Sequence, residues 1–129
     1  LSYMHEPSLG SIFHCLECPE DEGETSFTSM FAVYDALPVE RKKWLEARLG
    51  VHDYVWNFEN NHTDRPHLTD EQKAKTPIVS HPAVRTHPEN KRKALYISDV
   101  FVSHFEGEDY NESRALVKEL MDFASQSRF

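Results

Sequence analysis

Apolar and polar residues alternate most clearly near the start of the chain, from Gly10 to Pro19. A period of two is typical of a β-strand, because successive side chains of a strand point to opposite faces of a sheet. Proline lacks the backbone N–H that would donate a hydrogen bond to a neighbouring strand, so we expect the strand to end at Pro19. One face would carry Ile12, His14, Leu16 and Cys18, and the other Phe13 and Cys15.

Three helices are expected further along the chain. The first runs from about Ser29 to Leu37. The second begins at Pro38, whose fixed φ suits a first helical turn, and ends at Gly50. The last covers roughly Asn111 to Ala124. Apolar positions three to four residues apart would form their buried stripes: Trp44, Leu45 and Leu49 in the second helix, and Ala115, Leu116, Leu120 and Phe123 in the last.

Extended segments and turns complete the predicted elements. Val51 to Trp56 is typical of a strand, and residues 83–87 and 93–98 flank the turn PENKR as a hairpin. Residues 57–77 are polar, and a loop of that length in a compact domain is usually a functional lid or disordered. Within it, Thr69 with Gln72 three residues later favours a capped helical turn. The pattern therefore predicts a mixed α+β fold with a largely antiparallel sheet.

Composition narrows the class of protein. A chain of 129 residues can bury one modest core, which predicts a single domain. The net charge of −8 argues against binding to nucleic acid, and the one dense basic run, residues 91–93, fits a solvated hairpin tip. Since no apolar run approaches the roughly 20 residues that cross a bilayer, we expect no membrane association. Two cysteines in an acidic chain without a recognisable secretion signal favour a reducing cytoplasm.

Cysteine and histidine motifs raise the question of a metal site. Cys15 and Cys18 form a C-x-x-C, but there is no second cysteine pair, and on a strand the two thiols would point to opposite faces. We therefore expect packing cysteines. His81 and His87 each precede a proline in extended or turning chain, which favours structural roles. A weaker alternative is an independent metal site that uses His5, His14, His52 or His104.

One further motif, His62-Thr63-Asp64, has the His-x-Asp spacing of the two-histidine, one-carboxylate iron site. It lies in the polar segment 57–77 and not on a strand that could hold ligands rigidly. We therefore interpret it as unrelated to metal binding.

Three blocks of the sequence, in order, resemble one enzyme family. They are LSYMHEPSLGSIFHCLECPEDEGETSFTSMFAVYDALP, HPAVRTHPENKRKALYIS and ESRALVKELMDFASQSRF. The chain resembles, over its whole length, the taurine dioxygenase and 2,4-dichlorophenoxyacetate dioxygenase (TauD/TfdA-like) family of Fe(II)/2-oxoglutarate-dependent dioxygenases. The middle block, with His-Pro-x-Val-Arg-Thr-His-Pro before a Lys-x-Leu-Tyr strand, is its most specific part.

The resemblance implies a fold and a reaction. The fold would be part of a double-stranded β-helix, a jelly-roll or cupin-like barrel with flanking helices. Residues 1–129 would form the central portion of a single oxygenase domain, with a lid-like insertion at about 57–77. The family uses Fe(II) and 2-oxoglutarate to hydroxylate small anionic compounds (sulfonates, sulfate esters, aryloxy acids) with dioxygen, and 2-oxoglutarate becomes succinate.

In relatives, a segment like LSYMHEPS directly follows the His-x-Asp iron ligands, and the distal histidine and the 2-oxoglutarate arginine come after the segment resembling ASQSRF. The resemblance therefore implies that the strands with the iron ligands are missing, that no residue of this chain is a catalytic or metal ligand, and that the chain alone is inactive. Open sheet edges would favour a homo-oligomer. The alternative is a non-catalytic relative that acts as a binding or assembly module.

A few site residues carry over by position. Thr25, in Gly-Glu-Thr, matches the threonine whose hydroxyl binds the distal carboxylate of 2-oxoglutarate, although Glu22 replaces a glycine before it. The resemblance places Leu1, Tyr3, Asn57, Phe58 and Phe101 in the substrate pocket. His81, Arg85 and His87 match the middle block without an assigned role, and His62-Thr63-Asp64 would fall in the lid.

Overall fold

The computed structural model describes residues 2–20, 23–62 and 64–129. Within these residues the helices are α1 (Met30–Ala36), α2 (Val39–Glu46), α3 (Tyr54–Asn61), α4 (Asp70–Ala74) and α5 (Tyr110–Ala124). The strands are β1 (Leu49–His52), β2 (Val79–Pro82), β3 (Val84–Thr86), β4 (Lys93–Leu95) and β5 (Val102–Phe105).

All described strand pairs are antiparallel. One sheet has the order β2-β1-β5, with Gly50 of the central strand opposite His81 on one side and Phe105 on the other. The second sheet is the β3-β4 hairpin, in which Val84 pairs with Leu95. The predicted mixed α and β structure with antiparallel strands, and the predicted hairpin, are therefore confirmed.

The first two helices begin within one residue of the expected positions but are shorter than expected. The Ser29 hydroxyl accepts a hydrogen bond from the amide of Ala32, which starts α1. The predicted second helix was wrong at its end, because α2 stops at Glu46. The carbonyl of Arg48 already accepts from the amide of Ala83 in the neighbouring extended segment. Leu49 consequently belongs to β1 and not to the helical stripe.

The predicted strand from Val51 to Trp56 was wrong in its second half. β1 ends at His52, and Asp53 caps a new helix because its carboxylate accepts from the amide of Trp56 at 2.9 Å. α3 then covers the first part of the segment predicted as a polar loop. α4 lies within the same segment and has the full capping box of Thr69 and Gln72, which confirms that expectation.

The predicted strand from Gly10 to Pro19 was wrong. This segment is irregular, and the side chains of Ile12 and Leu16 are 99% and 90% exposed. A strand needs a neighbour whose backbone groups complete its hydrogen bonds, and alternation alone does not supply one. None of the described strands pairs with this segment. Cys15 and Cys18 are also exposed, so the expected packing role of the cysteines was wrong as well.

The core lies between the sheets and the helices α1, α2 and α5. It includes Val33 of α1, Leu45 of α2, Leu95 of β4 and Phe105 of β5. On α5 the buried residues are Ser113, Val117, Leu120 and Ala124, so the helix is turned from the predicted orientation. Of the predicted stripe only Leu120 is buried, Leu116 and Phe123 lie at the edge of the core, and Ala115 is exposed. Among the described residues, no helix has the length and apolar character needed to span a bilayer.

Candidate functional site

Four aromatic rings from three separate segments meet on one side of the fold, and we call them the aromatic cluster: Tyr3, Tyr54, Phe58 and Phe101. The ring centroid of Tyr3 lies 4.8 Å from that of Tyr54 and 5.1 Å from that of Phe101. Tyr54 and Phe58 are 6.2 Å apart. Because these two residues are four positions apart on α3, they lie on the same face of the helix. Three of the predicted pocket residues, Tyr3, Phe58 and Phe101, are thus in one cluster.

Backbone hydrogen bonds fix the loop that presents Phe101. The carbonyl of Phe101 accepts from the amide of Asp53 at 2.9 Å, and the amide of Val102 donates to the carbonyl of Ser98 at 2.9 Å. Asp53 is also the N-cap of α3. The same residue therefore sets both the start of the helix with Tyr54 and the position of the loop with Phe101.

A histidine holds the first segment of the chain against the sheet. Nε2 of His81, on β2, lies 3.0 Å from the carbonyl oxygen of Met4, the residue after Tyr3. This contact joins residues 77 positions apart in sequence. It ties the segment that carries Tyr3 to the sheet, beside the aromatic cluster.

Beside the cluster lies a cleft of about 330 Å³. Phe101 and Tyr96 supply aromatic surface to it. The other lining residues are small or hydroxyl-bearing: Ser2, Pro7, Ser8, Gly10, Ser11 and Ser98. A site lined by both aromatic rings and several hydroxyl donors suits a small molecule with an apolar body and a polar or anionic end.

The remaining predicted pocket residues are placed differently. Asn57, on α3, is buried, and its Oδ1 accepts from Nδ2 of Asn61 at 2.7 Å, so its amide is used within the helix. Leu1 lies outside the described residues. Thr25 is exposed in an irregular segment, and in the described part of the chain its hydroxyl makes no hydrogen bond. Among the described residues, no hydrogen bond joins Thr25 to the aromatic cluster.

Two other histidines have local roles. Nδ1 of His87 accepts from the amide of Glu89 at 3.3 Å, inside the hairpin turn. His62 is the C-cap of α3 and packs its ring 5.6 Å from that of Phe58. Thr63, between His62 and Asp64, is outside the described residues. Across the described ranges, no group of three His, Cys, Asp or Glu side chains is placed to hold a metal ion.

A buried histidine pair was not predicted. The rings of His52 and His81 lie 5.2 Å apart, and both pack against Tyr96. His52 is 1% exposed, and neither of its ring nitrogens has a hydrogen-bond partner among the described residues. Burial lowers the pKa of His52 from 6.5 to about 4, and the facing His81 acts in the same direction. The signal in the sequence was only that His52 falls within an apolar extended segment.

These features define a mixed α and β protein with an aromatic, hydroxyl-lined cleft. Comparison with known proteins assigns the family: the taurine catabolism dioxygenase TauD, TfdA family model matches residues 1–129. The chain belongs to this family. The predicted resemblance is therefore confirmed.

Individual relatives agree with the family match. The chain is 35% identical to an alpha-ketoglutarate-dependent 2,4-dichlorophenoxyacetate dioxygenase of Cupriavidus pinatubonensis, over 99% of this chain and 44% of the relative. It is 26% identical to an alpha-ketoglutarate-dependent sulfonate dioxygenase of Saccharomyces cerevisiae, over 98% of this chain and 30% of the relative. The crystal structure of AAD-2 with Mn(II) and N-oxalylglycine superposes with a TM-score of 0.68 at 31% identity, over 79% of this chain and 39% of the other. The chain spans less than half the length of these relatives.

Proposed function

We propose that the protein containing this chain is an Fe(II)/2-oxoglutarate-dependent dioxygenase that hydroxylates small anionic organic compounds, such as aryloxy acids or sulfonates. The observation that carries the proposal is the family match over residues 1–129. The named relatives act with 2-oxoglutarate (alpha-ketoglutarate) on 2,4-dichlorophenoxyacetate and on sulfonates. Dioxygen would be the co-substrate, and succinate would be formed from 2-oxoglutarate.

The aromatic cluster and its cleft support an anionic organic substrate. The rings of Tyr96 and Phe101 offer an apolar surface to an aryl or alkyl group. Hydroxyl groups can donate hydrogen bonds to a carboxylate or sulfonate, and such charge-assisted bonds are stronger than neutral ones. The cleft has four serines for this purpose: Ser2, Ser8, Ser11 and Ser98.

A larger groove lies between α2 and α5 but fits an anion poorly. It has a volume of about 450 Å³ and includes Arg41, Trp44, Ser113 and Leu116. Three glutamates also line it: Glu40, Glu108 and Glu112. Since like charges repel, an acidic wall disfavours an anionic substrate. We therefore propose that the substrate binds in the cleft beside the aromatic cluster and not in this acidic groove.

Among the described residues, no group of three His, Cys, Asp or Glu side chains is placed to hold a metal ion. As part of the proposal, the iron ligands are supplied by other residues of the protein, and the described residues alone do not support turnover. For 2-oxoglutarate, Thr25 is the candidate contact within this chain. Its exposed hydroxyl has no intramolecular partner in the described structure and is free to donate to a carboxylate.

We also propose that the chain is the central part of a single double-stranded β-helix domain with a lid at about residues 57–77. The exposed, alternating segment Gly10–Pro19 supports this arrangement, since its apolar side chains would be covered if it were paired as a strand. The capped helix α4 gives the lid some internal structure.

The test is 2-oxoglutarate turnover in the native protein that contains this chain, supplied with Fe(II), dioxygen and 2,4-dichlorophenoxyacetate or an alkylsulfonate. We expect succinate formation that depends on the organic substrate. The variant Thr25→Val should raise the KM for 2-oxoglutarate about tenfold, because a hydrogen bond to a charged group is lost. The matched variant Thr28→Val, also exposed in the same irregular segment, should leave this KM unchanged.

A second candidate function is a non-catalytic binding module. It is favoured by the finding that the described residues contain no group of three side chains placed to hold a metal ion. Such a module would bind an aryloxy acid in the cleft. It would form no succinate, whatever the concentrations of Fe(II) and 2-oxoglutarate. Binding without turnover in the native protein would therefore replace the first proposal with the second.

A further inference from the structure

The side chain of Arg114 crosses from α5 to the loop that carries Phe101. Its Nη1 donates to the carbonyl of Val102, and its Nη2 donates to the carbonyl of Asp99 at 3.2 Å. These two carbonyls lie on either side of Phe101 in the chain. The guanidinium therefore bridges the loop across the position of Phe101.

The same guanidinium also contacts α3, the helix with the other half of the aromatic cluster. Its central carbon lies 4.4 Å from the ring centroid of Trp56. The indole Nε1 of Trp56 donates to the hydroxyl of Tyr110, at the start of α5, at 2.8 Å. Trp56 lies between Tyr54 and Phe58 in sequence. Arg114 thus joins three elements at one point: α5, the Phe101 loop and α3.

Arginine is suited to this task in a way that lysine is not. The guanidinium is planar, so its edge can donate to two carbonyl groups while its face stacks on an indole ring. A lysine ammonium can reach one carbonyl or the ring but cannot keep the two carbonyls at a fixed separation. The contacts of Arg114 use both the edge and the face.

We propose that Arg114 is a positioning residue that fixes Phe101 against α3 and so sets the shape of the substrate cleft, which Phe101 lines. This inference rests on the proposed function, because the cleft matters only if the substrate binds there. Arg114 itself does not line the cleft. Its effect on the substrate is transmitted through the backbone of residues 99–102.

Two backbone amides report the position of the loop without any assay of activity. The amide of Val102 is bonded to the carbonyl of Ser98, and the amide of Asp53 is bonded to the carbonyl of Phe101. In Arg114→Met, hydrogen exchange at both amides should become about tenfold faster, because two hydrogen bonds that hold the loop are lost. Arg114→Lys should give an intermediate increase, since one carbonyl contact can be kept, and it serves as the test if Arg114→Met does not fold.

The matched control is Arg41→Met. Arg41 also anchors to α5, through Glu119 at 3.2 Å, but in the described structure it has no hydrogen bond or ion pair with the loop or the aromatic cluster. Exchange at Val102 and Asp53 should be unchanged in this variant. In the native protein, Arg114→Met should raise the KM for 2,4-dichlorophenoxyacetate about tenfold and leave the KM for 2-oxoglutarate unchanged, whereas Arg41→Met should change neither.

Unchanged exchange at both amides in Arg114→Met would overturn the inference. It would also be overturned if exchange increased equally throughout the chain, since Arg114 would then act on global stability alone. If the native protein turns over neither an aryloxy acid nor a sulfonate, the proposed function fails, while the exchange measurement still decides whether Arg114 positions the loop.

Discussion

Replacing His52 should remove a large part of the acid sensitivity of folding. The imidazole is buried, and its nitrogens have no hydrogen-bond partner among the described residues. Burial therefore favours the neutral ring and lowers its pKa from 6.5 to about 4. The unfolded chain, with a pKa near the ordinary value, binds a proton more readily than the folded protein between these two values.

The direction and size of the pH effect on stability follow from the difference between the pKa values of His52 in the folded and unfolded states. Because the unfolded state takes up the proton first, stability is fully present above about pH 6.5 and falls as the pH drops toward 4. At about pH 5, a pKa shift of this size lowers the free energy of unfolding by about 2 kcal/mol relative to pH 8. One pKa unit corresponds to about 1.4 kcal/mol. His52→Leu replaces the ring by an apolar side chain of similar size that does not titrate.

The assay is urea unfolding followed by circular dichroism at several pH values from 8 to 5. The loss of unfolding free energy over this range should be about 2 kcal/mol smaller in His52→Leu than in the wild type. His67→Leu is the matched control, because His67 is exposed, and it should retain the wild-type pH dependence. An equal pH dependence in His52→Leu and the wild type would refute the assignment of the acid sensitivity to His52.

Two further predictions concern the framework of the site. Phe105→Ala should lower the free energy of unfolding by about 3–5 kcal/mol, because a fully buried ring that packs on Trp44 is lost; a loss below 1 kcal/mol in urea unfolding would contradict the described core. Asp53→Ala should lower the free energy of unfolding by about 1 kcal/mol, because the cap of α3 is lost. Asp53→Asn should lower it much less, because asparagine can also cap a helix. Equal stability of the alanine and asparagine variants would show that the cap contributes nothing.

Local signals in the sequence predicted the parts of the fold that depend on neighbouring residues. The capping box of Thr69 and Gln72 is satisfied within one helical turn, and the 83–98 hairpin is set by its own turn. In contrast, the segment Gly10–Pro19 needs a distant strand as its partner, and alternation alone could not show whether one is present. The end of β1 depended on Asp53, whose capping role overrode an apparently continuous extended segment.

The candidate site was predicted only in part. The family resemblance predicted Tyr3, Phe58 and Phe101 as pocket residues, and in the structure they lie in one aromatic cluster. Their use as a substrate pocket stays a prediction, as does the role of Thr25. Arg114 could not have been found from the sequence, because its partners are backbone carbonyls and an indole ring that only the fold brings to it.

The most direct test of the central claim is a titration of the protein with 2,4-dichlorophenoxyacetate, followed through the aromatic ¹H–¹³C signals of the assigned rings. Binding at the cleft predicts concentration-dependent shifts of the Tyr96 and Phe101 rings, which line it, and no change at Phe105, which is buried in the core. This measurement needs neither iron nor turnover. The largest shifts at Trp44, in the acidic groove between α2 and α5, or no shift at any ring, would contradict the assignment of the aromatic cluster as the substrate site.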